Sequence, residues 1–485
     1  MTPSKLVLTV IDGLAPAALE RGVADGRAPT LAALLDRGTY IDDCVAAFPS
    51  VTPVCTASIV TGTGPDEHRV PAMCWYLRSE ERYVDYGSSF QATRAFGIGR
   101  CLTDTIYNLN MAHLSRRTPT LFELLDDNDI RTAGTTFLMY RGRHRHEATG
   151  ETALARLVTA TLFRHAVWGP RELFYADLFA SHETGCKSQL GLPGARDEHS
   201  GCVGAFLVEH DLCDFLLLSL PDNDTHSHRT GPEGQVDSLA LADQQLARVV
   251  DAGGGLDAFL EEYALIVMAD HSHSDISARI SLQDGFGDLR VLGPNDPAPE
   301  EAQVALCPGW RSAMVYTLDA QRPERVVRAA ERAARRIPGV DLVMRRAGDE
   351  AVVWSERGEL RFAPGSGPRD LGGEHWSFEG ELAAVGARVE DGVLRSDDYP
   401  DPLARVWAAL HCENAGELLI SAAPGYEFTD WGGVDHVGGG SHGSLHRTDS
   451  HGTLILAGIG PESRDAREQW TLRDIVPLVR AHFGL

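Results

Sequence analysis

The chain has 485 residues and a formal net charge of −25, because 69 Asp and Glu outnumber 44 Lys and Arg. Hydrophobic residues make up 43% and charged residues 23%, which is the composition of a globular protein and excludes a disordered or fibrous one. The acidic balance repels phosphate backbones, so we expect no nucleic-acid partner. No apolar run is long enough to cross a bilayer, so we expect no membrane partner either.

The N-terminal segment and the cysteines together predict a cytoplasmic protein. The first apolar run is short and ends at Asp12, which fits a buried strand better than a signal peptide. The nine cysteines are an odd number and show neither a C-x-x-C motif nor paired spacing. We therefore expect reduced thiols, as in proteins of reducing compartments.

Apolar runs of strand length alternate with helical periodicities through the first half of the chain. In chain order they predict a strand at 5–11, a helix over 29–37, a helix started by Thr118 and Pro119, and strands over 215–220 and 263–269. Such alternation predicts an α/β fold with a doubly wound, mostly parallel sheet and helices on both faces.

The pattern changes between residues 274 and 415. An Arg-rich polar helix over 322–336 is followed by a meander of short strands, which predicts a smaller inserted α+β subdomain. The core pattern then returns with a strand over 453–459 and an amphipathic helix over 472–483. We therefore predict a catalytic core formed by residues 1–273 and 416–485.

Clusters of Asp and His follow the ends of the predicted strands. In a parallel sheet, residues just beyond the carboxyl ends of strands form the ligand crevice. The clusters comprise Asp12; Asp222, Asp224, His226 and His228; Asp270, His271 and His273; and His436, His442, His446 and His451. Carboxylate and imidazole together suit Zn²⁺, with Mn²⁺ as the second choice, and the donors outnumber what one tetrahedral ion takes. The sequence thus predicts a two-metal site.

A hydroxyl group sits at another predicted helix start. In the segment FPSVTPVCTASIVTG, Thr52 precedes Pro53, which predicts Thr52 as the N-cap of a helix running to about Val60. A hydroxyl there faces free backbone N–H groups, which favours a phosphate or an alkoxide. The pair taken alone also fits an ordinary helix start.

Five segments in this order carry a resemblance to the alkaline phosphatase superfamily. Asp12 after the first strand, FPSVTPVCTASIVTGTGPDEH, DTHSHRTGP, ADHS and GGGSHGS are most similar to its type I phosphodiesterase/nucleotide pyrophosphatase family. The resemblance implies hydrolysis of phosphate diesters or nucleotide pyrophosphates, with Thr52 as nucleophile and a phospho-threonine intermediate that water cleaves. It also implies two zinc ions, one held by Asp12, Thr52, Asp270 and His271, and one held by Asp224, His228 and His442.

The family spacing Asp-x-x-x-His-x-x-Gly-Pro selects Asp224 and His228, and leaves Asp222 with His226 as the fallback pair. His226, His273, His446 and His451 are then expected outside the ligand set. Many nucleotide-cleaving relatives carry Asn three positions after the nucleophile, where this chain has Cys55. We therefore expect Cys55, Thr56 or backbone N–H groups to contact the substrate.

Several alternatives stay open at this point. A phosphonate hydrolase or a phosphomonoesterase uses the same ligands, and the pocket lining separates them from a diesterase. The segment around Ser441 matches the serine-hydrolase motif G-x-S-x-G, but no apolar strand precedes it. The expected substrate is a small anionic phosphate or phosphonate, and the sequence predicts no oligomeric state. The basic stretch 141–147 and the aromatic residues Trp75, Tyr76, Tyr83 and Tyr86 are candidates for substrate contact, with a loop and a core role as the alternatives.

Overall fold

A computed structural model describes residues 3–148, 165–187, 189–461 and 463–485. An eight-stranded sheet forms its centre, with the strands in the spatial order Thr39–Val45, His451–Ala457, Tyr263–Met268, Lys5–Ile11, Phe215–Leu220, Thr132–Thr135, Glu172–Tyr175 and Phe179–Ala180. The five strands from Tyr263–Met268 to Glu172–Tyr175 are parallel, and the pairings at both edges are antiparallel. The predicted α/β fold with a mostly parallel sheet is confirmed.

Helices cover both faces of this sheet, which explains why its central strands are continuously apolar. In the first strand, Leu6 and Leu8 pack into the core on one face, whereas Val7 and Ile11 pack into the core on the other. The helices against the first of these cores are Thr52–Thr61, Leu121–Asp126 and Ile475–His482. Those against the second are Pro16–Ala24, Pro29–Leu35, Arg196–Glu209, Gln235–Ala252 and Leu256–Glu262.

A second, nine-stranded sheet is formed by the later part of the chain. Its spatial order is Val304–Gly309, Ser312–Thr317, Leu418–Ala422, Val340–Ala347, Glu350–Ser355, Gly358–Arg369, Val393–Ser396 and Ala387–Glu390, with His375–Gly380 paired to Gly358–Arg369. The Arg-rich helix is Pro323–Ala334, and it buries Val326, Ala330 and Ala334. The strand Leu418–Ala422 follows the predicted boundary at residue 415, and the domain boundaries themselves stay a prediction.

Short elements connect these layers. Four two-stranded pairs are Cys74–Leu77 with Arg82–Asp85, His144–His146 with Val167–Gly169, Ser274–Asp275 with Gly440–Ser441, and Ala278–Ile280 with Tyr426–Phe428. Further helices are Pro65–His68, Phe90–Phe96, Ile98–Thr103, the π-helix Asp104–His113, Asp222–Thr230, Leu282–Gly285, Pro402–His411 and Arg447–Ser450. The 3₁₀ turns are Gln189–Gly191, Pro232–Gly234, Pro299–Glu301, Leu382–Val385, Arg464–Ala466 and Leu472–Asp474.

Two expectations need correction. The helix expected to start at Thr118 begins at Leu121 and is capped by Thr120, whose hydroxyl accepts from the Glu123 N–H at 3.2 Å. The expectation of reduced thiols fails for Cys186 and Cys202, which form a disulfide, whereas the other seven cysteines are free and buried. In the described parts of the chain, no helix has the length and hydropathy needed to cross a membrane.

Candidate active site

The first cluster of polar side chains lies where two parallel strands end side by side. Asp12 follows the strand Lys5–Ile11, and Asp270 and His271 follow the neighbouring strand Tyr263–Met268. The His271 Nε2 atom lies 3.5 Å from Asp12 Oδ1 and 3.4 Å from Asp270 Oδ2. Asp270 Oδ1 accepts hydrogen bonds from the N–H groups of Gly13 and His271, at 3.1 and 3.0 Å. These bonds hold the loop and leave Asp270 Oδ2 directed at His271.

Thr52 joins this cluster from the start of a helix. The helix begins at Thr52 itself, so the N-cap is Val51, one residue earlier than predicted. The Val51 carbonyl accepts from the N–H groups of Val54 and Cys55, both at 3.0 Å. The Thr52 hydroxyl therefore makes no capping bond, and it lies 3.2 Å from His271 Nε2.

A second cluster surrounds one carboxylate oxygen. The helix Asp222–Thr230 follows the strand Phe215–Leu220 and places Asp224 and His228 one turn apart. Asp224 Oδ1 lies 3.0 Å from His273 Nε2, 3.3 Å from His442 Nε2 and 3.4 Å from His228 Nε2. His442 comes from the far end of the chain, just after the short strand Gly440–Ser441.

The other ring nitrogen of three histidines is bonded to a backbone carbonyl. His228 Nδ1 lies 2.9 Å from the Gly440 oxygen, and His442 Nδ1 lies 2.8 Å from the Ser50 oxygen. His271 Nδ1 makes the same kind of bond to its neighbour's carbonyl at 3.2 Å. A carbonyl only accepts, so Nδ1 carries the proton and Nε2 presents a lone pair to the cluster. This arrangement is typical of metal-binding histidines.

Several buried polar atoms in the two clusters fit a bound cation. Asp12 Oδ1, Asp270 Oδ2, His228 Nε2 and His442 Nε2 are buried and have no hydrogen-bond partner among the described residues. Leaving such atoms unpaired is costly, and a cation would satisfy them. A tetrahedral zinc ion with bonds of about 2.1 Å places its ligand atoms roughly 3.4 Å apart, which is close to the separations in both clusters. The donors fall into two sets whose ligand atoms lie within 4.8 Å of one another, namely Asp224, His228, His273 and His442, and Asp12, Asp224 and His271.

Burial also sets the protonation of these groups. It raises the pKa of Asp12 well above its usual range, and the charge of nearby Asp270 adds to this effect. Burial raises the pKa of Asp270 to about 6. It lowers the pKa of both His228 and His271 well below the usual range of imidazole. The histidines are thus neutral, which is the state that binds metal.

A cavity of about 860 Å³ opens onto the clusters and is lined by Asp12, Thr52, Asp224, His228 and Asp270. One of its walls is Trp310, at the tip of the hairpin between Val304–Gly309 and Ser312–Thr317 of the second sheet. The Trp310 ring lies 4.4 Å from the His442 ring and 5.3 Å from the His228 ring, measured between centroids. The second sheet therefore contributes directly to the site.

Of the two residues expected to contact substrate, the structure places only Thr56 in the wall of the cavity. Thr56 lines the cavity, and its hydroxyl donates to the Thr52 carbonyl at 2.6 Å. Cys55 is completely buried and does not line the cavity, so the structure does not bring its thiol to a substrate. The reason is helical geometry, because residues three and four positions after Thr52 point in different directions around the helix.

The other candidate residues have local structural partners. The Asp222 carboxylate accepts from the N–H groups of Arg196 and Asp197, at 3.0 and 3.1 Å, and so caps the preceding helix Arg196–Glu209. Ser441 is buried, and its hydroxyl donates to Glu427 at 2.7 Å. His226, His446 and His451 lie outside both ligand sets.

The basic stretch and the aromatic residues are mainly structural. Arg141 is buried, and its guanidinium donates to Glu123 and to the carbonyls of Leu114, Ser115 and Thr118. Trp75, Tyr76 and Tyr83 belong to the core. Tyr86 also lines the cavity, and its hydroxyl is hydrogen-bonded to His113 Nδ1 at 2.8 Å.

A buried ion pair behind the site was not predicted from the sequence. Arg311 follows Trp310 and pairs with Asp449, and both side chains are fully buried. The Arg311 N–H donates to the His442 carbonyl at 3.0 Å, and the Asp449 carbonyl accepts from the Ser272 N–H at 2.9 Å. The pair thus fixes the loops that carry His271 and His442. A single Arg and a single Asp far apart in the chain gave no signal of this contact.

Comparisons with known proteins address the family and the fold. A family profile described as type I phosphodiesterase / nucleotide pyrophosphatase matches residues 6–445. A comparison with curated protein sequences gives no significant match. Among solved structures, murine ectonucleotide pyrophosphatase/phosphodiesterase 5 in an inactive threonine-to-alanine form with AMP shares 11% identity, with a TM-score of 0.58 over 99% of this chain and 95% of that chain. Phosphonoacetate hydrolase from Sinorhizobium meliloti 1021 in complex with phosphonoformate shares 16% identity, with a TM-score of 0.54 over 98% of this chain and 95% of that chain. These two structures show a common fold.

Proposed function

The chain belongs to the type I phosphodiesterase/nucleotide pyrophosphatase family, and we propose that it hydrolyses phosphate diesters with Thr52 as its nucleophile and two zinc ions. The observation that carries the proposal is the Thr52 hydroxyl, which lies 3.2 Å from His271 Nε2 and has no capping role. The hydroxyl thus belongs to a cluster of metal-binding donors at one end of the cavity.

The two donor sets support the zinc assignment. We assign Asp12, Thr52, Asp270 and His271 to one ion, and Asp224, His228 and His442 to the other. Imidazole and carboxylate ligands at these separations suit Zn²⁺, with Mn²⁺ as the second choice. Zinc ions bound there would favour the Thr52 alkoxide and stabilise negative charge on the phosphate oxygens.

The residues of the chain organise a two-step hydrolysis. The Thr52 oxygen forms a bond to phosphorus while the bond from phosphorus to one ester oxygen breaks, and that oxygen leaves as an alcohol. Water then attacks the phospho-threonine, which releases the remaining monoester and restores Thr52. The helix Thr52–Thr61 and the bond from Thr56 to the Thr52 carbonyl keep the nucleophile in place through both steps.

The lining of the cavity favours a diester over a monoester. Among the described residues that line it, the cationic side chains are Arg196 and Arg229. Arg196 is already paired with Asp222 at 2.8 Å. Hydroxyl and apolar groups dominate the rest of the lining, including Met73, Ile106 and Phe137. A singly charged diester with one bulky arm fits such a wall better than a doubly charged monoester does.

Turnover of three substrates tests the proposal. We expect the purified protein to hydrolyse bis(p-nitrophenyl) phosphate, to lose this activity with a chelator, and to regain it with zinc. A clear preference for p-nitrophenyl phosphate would overturn the diesterase assignment. Release of phosphate from phosphonoacetate, without diester turnover, would instead make the enzyme a phosphonate hydrolase.

Substitution of the nucleophile tests its role separately. We expect Thr52→Ala to lower kcat by roughly 1000-fold or more, because the substitution removes the attacking oxygen and the nearby Thr56 hydroxyl is already bonded to the carbonyl of residue 52. Thr61→Ala is the matched control, because Thr61 lies at the other end of the same helix and bonds to the Ala57 carbonyl. Zinc content and circular dichroism are measured for both variants. Full activity in Thr52→Ala would exclude Thr52 as the nucleophile.

A further inference from the structure

We propose that His273 is an additional protein ligand of the ion assigned to Asp224, His228 and His442, so that this ion binds three imidazoles and one carboxylate. The inference rests on the proposed two-metal function and extends its ligand set. The resemblance placed His273 outside the ligand set, whereas the structure places it inside the second cluster.

The His273 ring is fully buried and points at the cluster. Its side chain is 0% exposed, and its Nε2 atom lies 3.0 Å from Asp224 Oδ1. Its Nδ1 atom has no hydrogen-bond partner among the described residues. The polar contact of this buried ring is therefore made on the Asp224 side.

The environment of Asp224 Oδ1 explains why a cation belongs there. The Nδ1 atoms of His228 and His442 donate to carbonyls, so their Nε2 atoms face Asp224 with lone pairs. Lone pairs directed at a carboxylate oxygen repel it unless a cation lies between them. His273 Nε2 occupies an equivalent position, at 3.0 Å from this oxygen compared with 3.3 and 3.4 Å for the other two. All three separations are close to the edge of a zinc tetrahedron, roughly 3.4 Å.

Two glycines make room for the ring. A Cβ atom on Gly13 would lie 2.7 Å from both Cδ2 and Nε2 of His273. A Cβ atom on Gly440 would lie 3.3 Å from His273 Nδ1. Gly13 also adopts a φ of 68°, which favours glycine. The loop after Asp12 and the strand before His442 are thus shaped around an imidazole at position 273.

The additional ligand has a chemical consequence for the choice of metal. Three imidazoles with one carboxylate form a nitrogen-rich donor set, which favours Zn²⁺ and related transition metals over Mg²⁺ and Ca²⁺.

A crystal structure of the zinc-loaded wild-type protein tests the proposal directly, with anomalous data to locate the ions. We expect a distance of about 2.1 Å between zinc and His273 Nε2. A distance beyond about 3 Å would overturn the proposal, because His273 would then only donate a hydrogen bond to Asp224.

Zinc affinity of variants gives a second test that does not depend on turnover. Competition with a chromophoric chelator should show that His273→Ala weakens one of the two sites by more than about 100-fold, beyond what loss of an outer-shell partner causes. His226→Ala is the matched control, because His226 lies in the Asp222–Thr230 helix but outside both ligand sets. Unchanged affinity in His273→Ala, with a native circular dichroism spectrum, would overturn the proposal.

The outcomes separate this inference from the proposed function. Zinc-dependent diester turnover combined with a distant His273 leaves the function intact and overturns only the extra ligand. A protein that binds no zinc at either site overturns both.

Discussion

Thr52 and His271 were each predicted as site residues from the sequence around them. Both follow recognisable signals, a Thr-Pro helix start and a strand that ends in Asp and His, and the structure brings them within 3.2 Å of each other. His273 was not predicted as a ligand, because its spacing in the sequence does not distinguish it from His226. The side chain's position depends on Gly13 and Gly440, which are distant in the chain and close in space.

The buried carboxyl group of Asp85 should make the stability of the fold depend on pH. Asp85 is buried, and it accepts from the N–H groups of Gly87 and Ser88 at 2.9 and 3.0 Å. Burial nevertheless raises its pKa to about 6. The folded state therefore binds this proton more tightly than the unfolded state, and the group destabilises the fold increasingly as pH rises from about 4 to about 6.

We expect Asp85→Asn to remove this effect. The free energy of unfolding of the variant, relative to the wild type, should rise by on the order of 3 kcal/mol between pH 4 and pH 7, measured by urea denaturation. Asp296→Asn is the control, because Arg290 lowers the pKa of Asp296, so that its contribution changes mainly below pH 4 and the difference from the wild type should stay nearly constant between pH 4 and pH 7. A constant difference across this pH range would contradict the expected linkage at Asp85.

The strands and helices were predicted more accurately than their ends. The central strands bury both faces, so their apolar runs were visible without knowledge of the pairing. The helix expected to be capped by Thr118 is capped two residues later, because Thr120 and Glu123 form the reciprocal capping bonds. Several neighbouring threonines offered the same signal, and only the tertiary position of Arg141 shows why Thr120 is used, since its hydroxyl donates to the Arg141 carbonyl at 2.6 Å.

Loss of the buried ion pair between Arg311 and Asp449 should have a large effect on stability. Arg311→Met leaves the fully buried Asp449 carboxylate without its charged partner. We expect a loss of about 3 to 5 kcal/mol in the free energy of unfolding, measured by denaturant titration. Arg388→Met is the control, because Arg388 forms an exposed pair with Asp397 and its loss should leave the free energy of unfolding nearly unchanged. Equal effects of the two substitutions would show that burial of the Arg311 pair does not decide its contribution.

At the scale of the whole molecule, the sequence predicted the sheet type, but not the order of strands or the disulfide. Strand order depends on contacts between distant segments, such as the pairing of Thr39–Val45 with His451–Ala457. The disulfide joins Cys186 and Cys202 across 16 positions, and nothing in the spacing of nine cysteines marks this pair.

Because of the disulfide, the free energy of unfolding should depend on redox conditions. Closing a loop of this length restricts the unfolded chain, which stabilises the fold by about 3 kcal/mol. We expect a thiol reductant to lower the free energy of unfolding of the wild type by about this amount. A Cys186→Ser, Cys202→Ser double variant should not respond, because the remaining seven cysteines are free. A response of the double variant equal to that of the wild type would assign the effect to another group.

The hairpin with Trp310 and Arg311 also limits which parts of this molecule can be exchanged independently. Its tip forms a wall of the cavity and braces the segment that carries His442. A chimera that exchanges the second sheet for that of a relative would therefore inherit a foreign pocket wall together with a foreign support for His442, the proposed metal ligand. We therefore expect a change in this one β-turn to alter substrate preference and metal affinity together.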